Sequence, residues 1–159
     1  MSYDPQVLRN LIKSTLLPLG LYSPNAEELL MATCANESNL GQFRTQAPHG
    51  PARGIFQCEG EDFNDIWTNY LAYHPSIATS MKSLNNGVQG TVDDLVNNDP
   101  YAIGICRVHY MRSAGVLPDA GDIEQIWSYY KLHYNTPQGA ATHDVFIQKY
   151  DKYVLLQKP

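Results

Sequence analysis

Glu37 stands where a carboxyl group can be made into an acid. Ala26, Leu30 and Cys34 recur every four residues as an apolar ridge on one helix face, and Glu37 follows three residues later on that face. Two effects of one sign act on a carboxyl there. Removal from water disfavours the charged form, and so does the negative end of the helix dipole. Both raise the pKa, which is what proton donation near neutral pH requires. Other residue types offer other chemistry. Glu59, Glu61, Asp62 and Asp65 are the next acids, the last three at the start of a further helical run, where acids commonly settle because they suit the dipole. Cys58 with one of His49, His74, His109, His133 or His143 offers a thiolate–imidazole pair, although no spacing selects the partner. The five histidines show no His-x-x-x-His pattern, so no metal site is expected.

The elements that must position these groups are helices. Val7, Leu8, Leu11, Ile12 and Leu16 give residues 4–17 a helical period, stopped by Pro18-Leu19-Gly20. Ser23-Pro24 supplies a capping hydroxyl and a proline at the first helical position, and predicts a helix to about Ser38. From Asn39 to Arg53 the pattern collapses into Gly, Pro, Gln and Arg, an irregular segment with room for short strands and of a length that is often functional. Phe63, Ile66, Trp67, Tyr70 and Leu71 mark the next helix, ended before Pro75, with short helices expected over 76–84 and 91–97. Asp99-Pro100 opens a helix to Ala114 that is apolar nearly all round and is expected to be the buried central one, capped by Gly115. Ile123, Ile126, Trp127 and Tyr130 define a helix to about Tyr134, and Thr142 is expected to cap a last one through Tyr153. The expected fold class is mainly α, a single helical domain over residues 1–159 with an irregular or short-stranded segment after the second helix.

Composition narrows the partners. A chain of 159 residues with 43% apolar and 17% charged residues can bury an ordinary core. A net charge of −5 argues against nucleic acid, which calls for a basic face, and no apolar run reaches membrane-spanning length. The opening Met-Ser-Tyr-Asp-Pro lacks the basic start and apolar stretch of a secretory signal, so the chain is expected to be made in a cytoplasm and carried out by other means. Three widely spaced cysteines, Cys34, Cys58 and Cys106, read as free and mostly buried thiols. Eleven tyrosines offer flat apolar faces with a hydroxyl, which suit a sugar as well as a core.

Three short segments share one order along the chain: Glu37-Ser38-Asn39-Leu40-Gly41-Gln42, then Gly54-Ile55-Phe56-Gln57 beginning seventeen residues after Glu37, then Tyr134-Asn135-Thr136-Pro137-Gln138-Gly139. Together they resemble the lytic transglycosylase and goose-type lysozyme superfamily, whose members carry a Glu-Ser pair at a helix end, a Gly-Leu-Met-Gln type segment and a Tyr-Asn-Ala-Gly-Pro-Gly segment. Phe56 stands in place of the usual Met, His133 in place of Ala, and Pro137-Gln138 in place of Gly-Pro. The resemblance implies a lysozyme-like α+β fold and cleavage of bacterial peptidoglycan. Glu37 would protonate the glycosidic oxygen between N-acetylmuramic acid and N-acetylglucosamine, then take the proton of the muramic C6 hydroxyl as a 1,6-anhydro ring closes. No cofactor is implied. It further implies that Tyr134 points its hydroxyl at Glu37 or the substrate, Asn135 fixes that segment, Gln57 donates to a sugar acetamide, Phe56 forms an apolar side of the cleft, and Ser38 bonds near the carboxylate or polarises the acetamido group.

Alternatives remain open. A hydrolysing muramidase would use Glu37 as acid and Glu59 or Asp62 to activate water. A virion structural protein could keep the fold without the activity. A stand-alone domain of this kind resembles a phage protein carried in the virion or tail, acting in the periplasm or cell wall.

Overall fold

The computed structural model describes residues 1–46 and 48–156, and its regular structure is helical throughout the described residues apart from two isolated bridges. The α-helices are α1 (Pro5–Leu16), α2 (Pro24–Ser38), α3 (Gly60–Asn69), α4 (Pro75–Ser83), α5 (Asp99–Met111), α6 (Ile123–Tyr130) and α7 (His143–Lys149). The helical segments expected over 76–84 and 91–97 are α4 and a single 3₁₀ turn, Val92–Leu95. Beyond α6 and α7 the chain continues as π-helical turns, Lys131–Asn135 and Tyr150–Val154.

Side chains start most of these helices where the sequence places them. Asp4 accepts from the amides of Gln6 and Val7, Ser23 from Ala26, Asn98 from Tyr101 and Asp122 from Gln125. Thr142 precedes α7 as expected but makes no capping hydrogen bond. α5 ends at Met111, so Gly115 lies beyond its cap, where a φ of +101° turns the chain instead.

α5 is the central helix: it packs against α1, α2, α3, α4 and the first π-helical turn, and buries Tyr101, Ile103, Ile105, Val108 and Tyr110. α1 adds Leu8, Ile12 and Leu16 at intervals of one helical turn, all fully buried, whereas Val7 faces outward. On α2 the ridge Ala26, Leu30 and Cys34 is fully buried, but so are Leu29, Met31 and Ala35 on its flanks. α2 is therefore enclosed on nearly all sides. Its one buried ion cluster is fully partnered. Arg9 grips both oxygens of Glu28 at 2.5 and 3.0 Å, and Tyr150 donates to the same carboxylate, tying α1 and the turn Tyr150–Val154 to α2. No described helix is long and apolar enough to cross a membrane.

The irregular segment after α2 forms no strand among the described residues. It is pinned at Arg53, which bridges antiparallel to Thr45 and Cys58, and at Gly54, whose amide donates to Arg44 O at 2.7 Å. Arg44 in turn makes a bidentate pair with Asp99 at 2.5 and 2.8 Å and donates to Val96 O, fastening the segment to the start of α5. Gly54 has a φ of +78°, and a Cβ there would lie 2.7 Å from Leu95 O. Gly54→Ala should lower stability by about 2 kcal/mol, seen as a lower urea midpoint at unchanged m-value; an unchanged midpoint would show that the turn tolerates a side chain.

Candidate active site

α2 ends one residue after Glu37. Asn39 takes a left-handed conformation (φ 52°), its amide donates to Ala35 O, and the amide of Leu40 donates to Cys34 O, a left-handed ending of the helix. The last turn of α2 thus holds Glu37 half-buried at the edge of a cleft of roughly 460 Å³. It is lined by Gln57, Cys58, Glu59 and Asp62, by His133, Tyr134, Asn135 and Thr136, and by His109 and Arg112.

Burial is the main reason that the Glu37 carboxyl is pushed up to about 7, with the nearby charge of Glu59 acting in the same direction. Tyr130 and the ammonium of Lys149 pull it down but do not prevail. The Tyr130 hydroxyl donates to Glu37 Oε1 at 2.5 Å, and Asn36 Nδ2 donates to that hydroxyl at 2.8 Å, so the phenol is itself oriented. Lys149 is held nearby by donating to Asn36 O. One carboxyl oxygen is fixed by the phenol, and the group exchanges its proton near neutral pH.

The residues singled out in the sequence meet here in roles that partly differ from expectation. Ser38 is fully buried and touches neither the cleft nor the carboxyl: its hydroxyl donates to Ile55 O at 2.6 Å and accepts from Gly41 N at 2.8 Å. Tyr134 does not reach Glu37. Its hydroxyl donates to Phe56 O at 2.5 Å, while its ring packs on His109 and Tyr110. Tyr130, four residues earlier, occupies the expected place. Phe56 is 2% exposed and lies in the core against Leu95, Ile105 and Cys106, so it forms no side of the cleft. The turn that begins at Gly54 directs residues 55 and 56 inward and leaves Gln57, at a φ of 50°, as the first to face the cleft. Gln57 Nε2 donates to Gly54 O at 2.9 Å and so closes its own turn. Asn135 does fix its segment: its Oδ1 accepts from Lys131 Nζ, which also donates to the carbonyls of Gly139 and Ala141.

Sequence reasoning missed several groups of the site. Tyr130 had a visible signal, its spacing of four from Tyr134 on one helical run. Arg112, which follows α5 and pairs with Asp65, gave none, and His109, whose Nε2 donates to His133 O, stood out in the sequence only as a thiol partner. Burial lowers the His109 imidazole to about 4, so it is neutral and serves as a fixed donor. Thr136, with φ 72° and ψ 154°, holds a conformation costly for a β-branched residue at the cleft edge. All three cysteines are free and buried. The Cys58 thiol is pushed up to about 12 by burial, the opposite of what a thiolate nucleophile needs. Among the described residues no group of three His, Cys, Asp or Glu side chains is placed to hold a metal ion.

Replacing Tyr130 with Phe removes a hydrogen bond to the charged carboxylate, so the Glu37 pKa should rise above about 7, read by carbon NMR of its carboxyl. An unmoved titration would mean that the bond is absent in solution. Because folding favours protonated Glu37, its contribution to stability is complete below the ordinary pKa of 4.5 and is lost as the pH rises through about 7. Glu37→Gln should therefore match the wild type at pH 4 and exceed it at pH 8 by at most about 3 kcal/mol in denaturant unfolding. Equal stability at both pH values would contradict a raised pKa.

No protein-family model, no curated protein and no solved structure matches this chain.

Proposed function

We propose that this protein cleaves the glycan strands of bacterial peptidoglycan as a lytic transglycosylase. The observation that carries the reading is Glu37 itself, a carboxyl with a pKa near 7, held by Tyr130 at the edge of a polar cleft. Such a group is protonated when substrate arrives and a competent base once its proton has gone. In the proposed reaction Glu37 gives its proton to the oxygen between N-acetylmuramic acid and N-acetylglucosamine. The muramic acetamido oxygen stabilises the cation that develops. Ionised Glu37 then takes the proton of the C6 hydroxyl as that oxygen bonds to C1, and the proton balance is restored without water. Tyr130 holds Oε1 throughout, so the other oxygen carries the proton both ways. Gln57 and Asn135, both lining the cleft, supply amides to the sugars. The cell wall is the proposed place of action, reached as part of a bacteriophage virion or tail.

Glu59 and Asp62 also line the cleft, and partial burial raises the Asp62 carboxyl. That favours a second reading, hydrolysis, in which one of them activates a water molecule.

Mass spectrometry of digested sacculi separates the two, since only the transglycosylase leaves 1,6-anhydromuramyl ends; ends that take up labelled water point to the hydrolase. Activity should fall as the pH rises through about 7, because protonated Glu37 starts either reaction. Glu37→Gln should lower the rate by about a thousandfold, within the range of general acid catalysis. Equal clearing of sacculi by wild type and variant would remove the catalytic role and leave a structural one.

A further inference from the structure

The proposed reaction leaves a buried ionisable side chain of the cleft without a task. His109, on α5, is 6% exposed and yet lines the cleft. Its orientation is fixed. Nε2 lies 3.1 Å from His133 O in the π-helical turn, and a carbonyl can only accept, so the ring proton sits on Nε2. The Tyr134 ring packs 4.5 Å from the imidazole. Burial and the neighbouring Arg112 charge keep the ring neutral, with a pKa of about 4. Nδ1 therefore carries a lone pair, and no described residue donates to it. Nor is it sealed in: the side-chain atoms both buried and unpartnered among the described residues are Asn39 Oδ1 and Arg112 Nε. The other hollow beside the ring, about 10 Å³ among Phe56, Ile105 and Cys106, is at the lower limit for one water molecule. A ligand reaches Nδ1 from the cleft.

We infer that His109 is a further catalytic residue, whose Nδ1 accepts the N–H of the muramic acetamido group and so aims its oxygen at C1. The inference rests on the function proposed above and fills the place expected of Ser38, whose hydroxyl is turned into the core. An amide N–H can only donate, and a lone pair with no donor of its own is its complement. As the acetamido oxygen takes up the positive charge developing at C1, its N–H becomes more acidic and the bond to Nδ1 strengthens. The interaction is then worth more in the transition state than on binding. The proton stays on the amide nitrogen, because an imidazole with a pKa of about 4 is too weak a base to remove it.

The test uses soluble, uncrosslinked glycan strands of peptidoglycan and has two readouts. In Glu37→Gln protein, which binds without cutting, nitrogen-15 NMR should show His109 Nδ1 unprotonated when free and moving toward the protonated range as strands fill the cleft. In the wild-type background, His109→Gln keeps a donor for His133 O but loses the acceptor, and should lower kcat about tenfold with KM little changed. His109→Asn places an oxygen where Nδ1 stood and should recover most of that loss. An Nδ1 signal that does not move on binding overturns the inference, and so does an equal loss in both variants, which would mark the ring as packing. Where His109→Gln fails to fold, the Nδ1 signal decides alone. A moved signal in a protein that cuts no sacculi sinks only the proposed reaction, whereas cleavage with an unmoved signal sinks this inference alone. Strands that do not bind sink both.

Discussion

Two carbonyl groups, those of Ile55 and Phe56, hold the cleft together. Ser38 donates to the first and Tyr134 to the second, so α2 and the π-helical turn after α6 both grip one short turn of an otherwise irregular segment. A turn with two adjacent carbonyls captured cannot slide, and its next residue, Gln57, is delivered to the cleft in a left-handed conformation that glutamine rarely adopts. Each donor is well buried or tightly packed, where an unmade hydrogen bond is costly. The three segments that stand out in the sequence are thus joined by hydrogen bonds to backbone.

Much of the scaffold was legible. The cap at Ser23 and the apolar positions Leu8, Ile12 and Leu16 fix a helix start and a helix face by local rules, whereas the caps at Asp4, Asn98 and Asp122 emerge only in the structure. The spacing between Ser38 and Ile55 also had a physical meaning. What the sequence could not convey was direction. Phe56 reads equally well as a cleft wall or as core, and only the turn at Gly54 decides that it points inward. Tyr134 and Tyr130 share a face, and which hydroxyl reaches the carboxyl depends on how tightly the helix is wound between them. Arg44 gave no hint of its partner Asp99, fifty-five residues away, because ion pairs between distant segments leave no local pattern.

Stability and chemistry pull against each other at Glu37. Most buried ionisable groups here are satisfied: Glu28 has Arg9 and Tyr150, and Asp99 has Arg44 and Tyr3. Glu37 is the exception, given one phenolic donor and a more distant ammonium while burial works against its charge. A full ionic partner would steady the fold and draw the pKa back toward that of an ordinary carboxylate. The arrangement withholds it. The same economy marks the cleft edge, where Thr136 keeps a strained backbone that glycine would relieve.

The widened turn over Lys131–Asn135 makes residue count part of the architecture. A helix rotates by about 100° per residue, so one residue more or fewer between Tyr130 and Asn135 would swing Tyr134 off Phe56 O while Tyr130 kept its hold on Glu37. Insertions and deletions are usually absorbed in loops, but here a single codon gained or lost inside one helix would uncouple the carboxyl from the turn beside it.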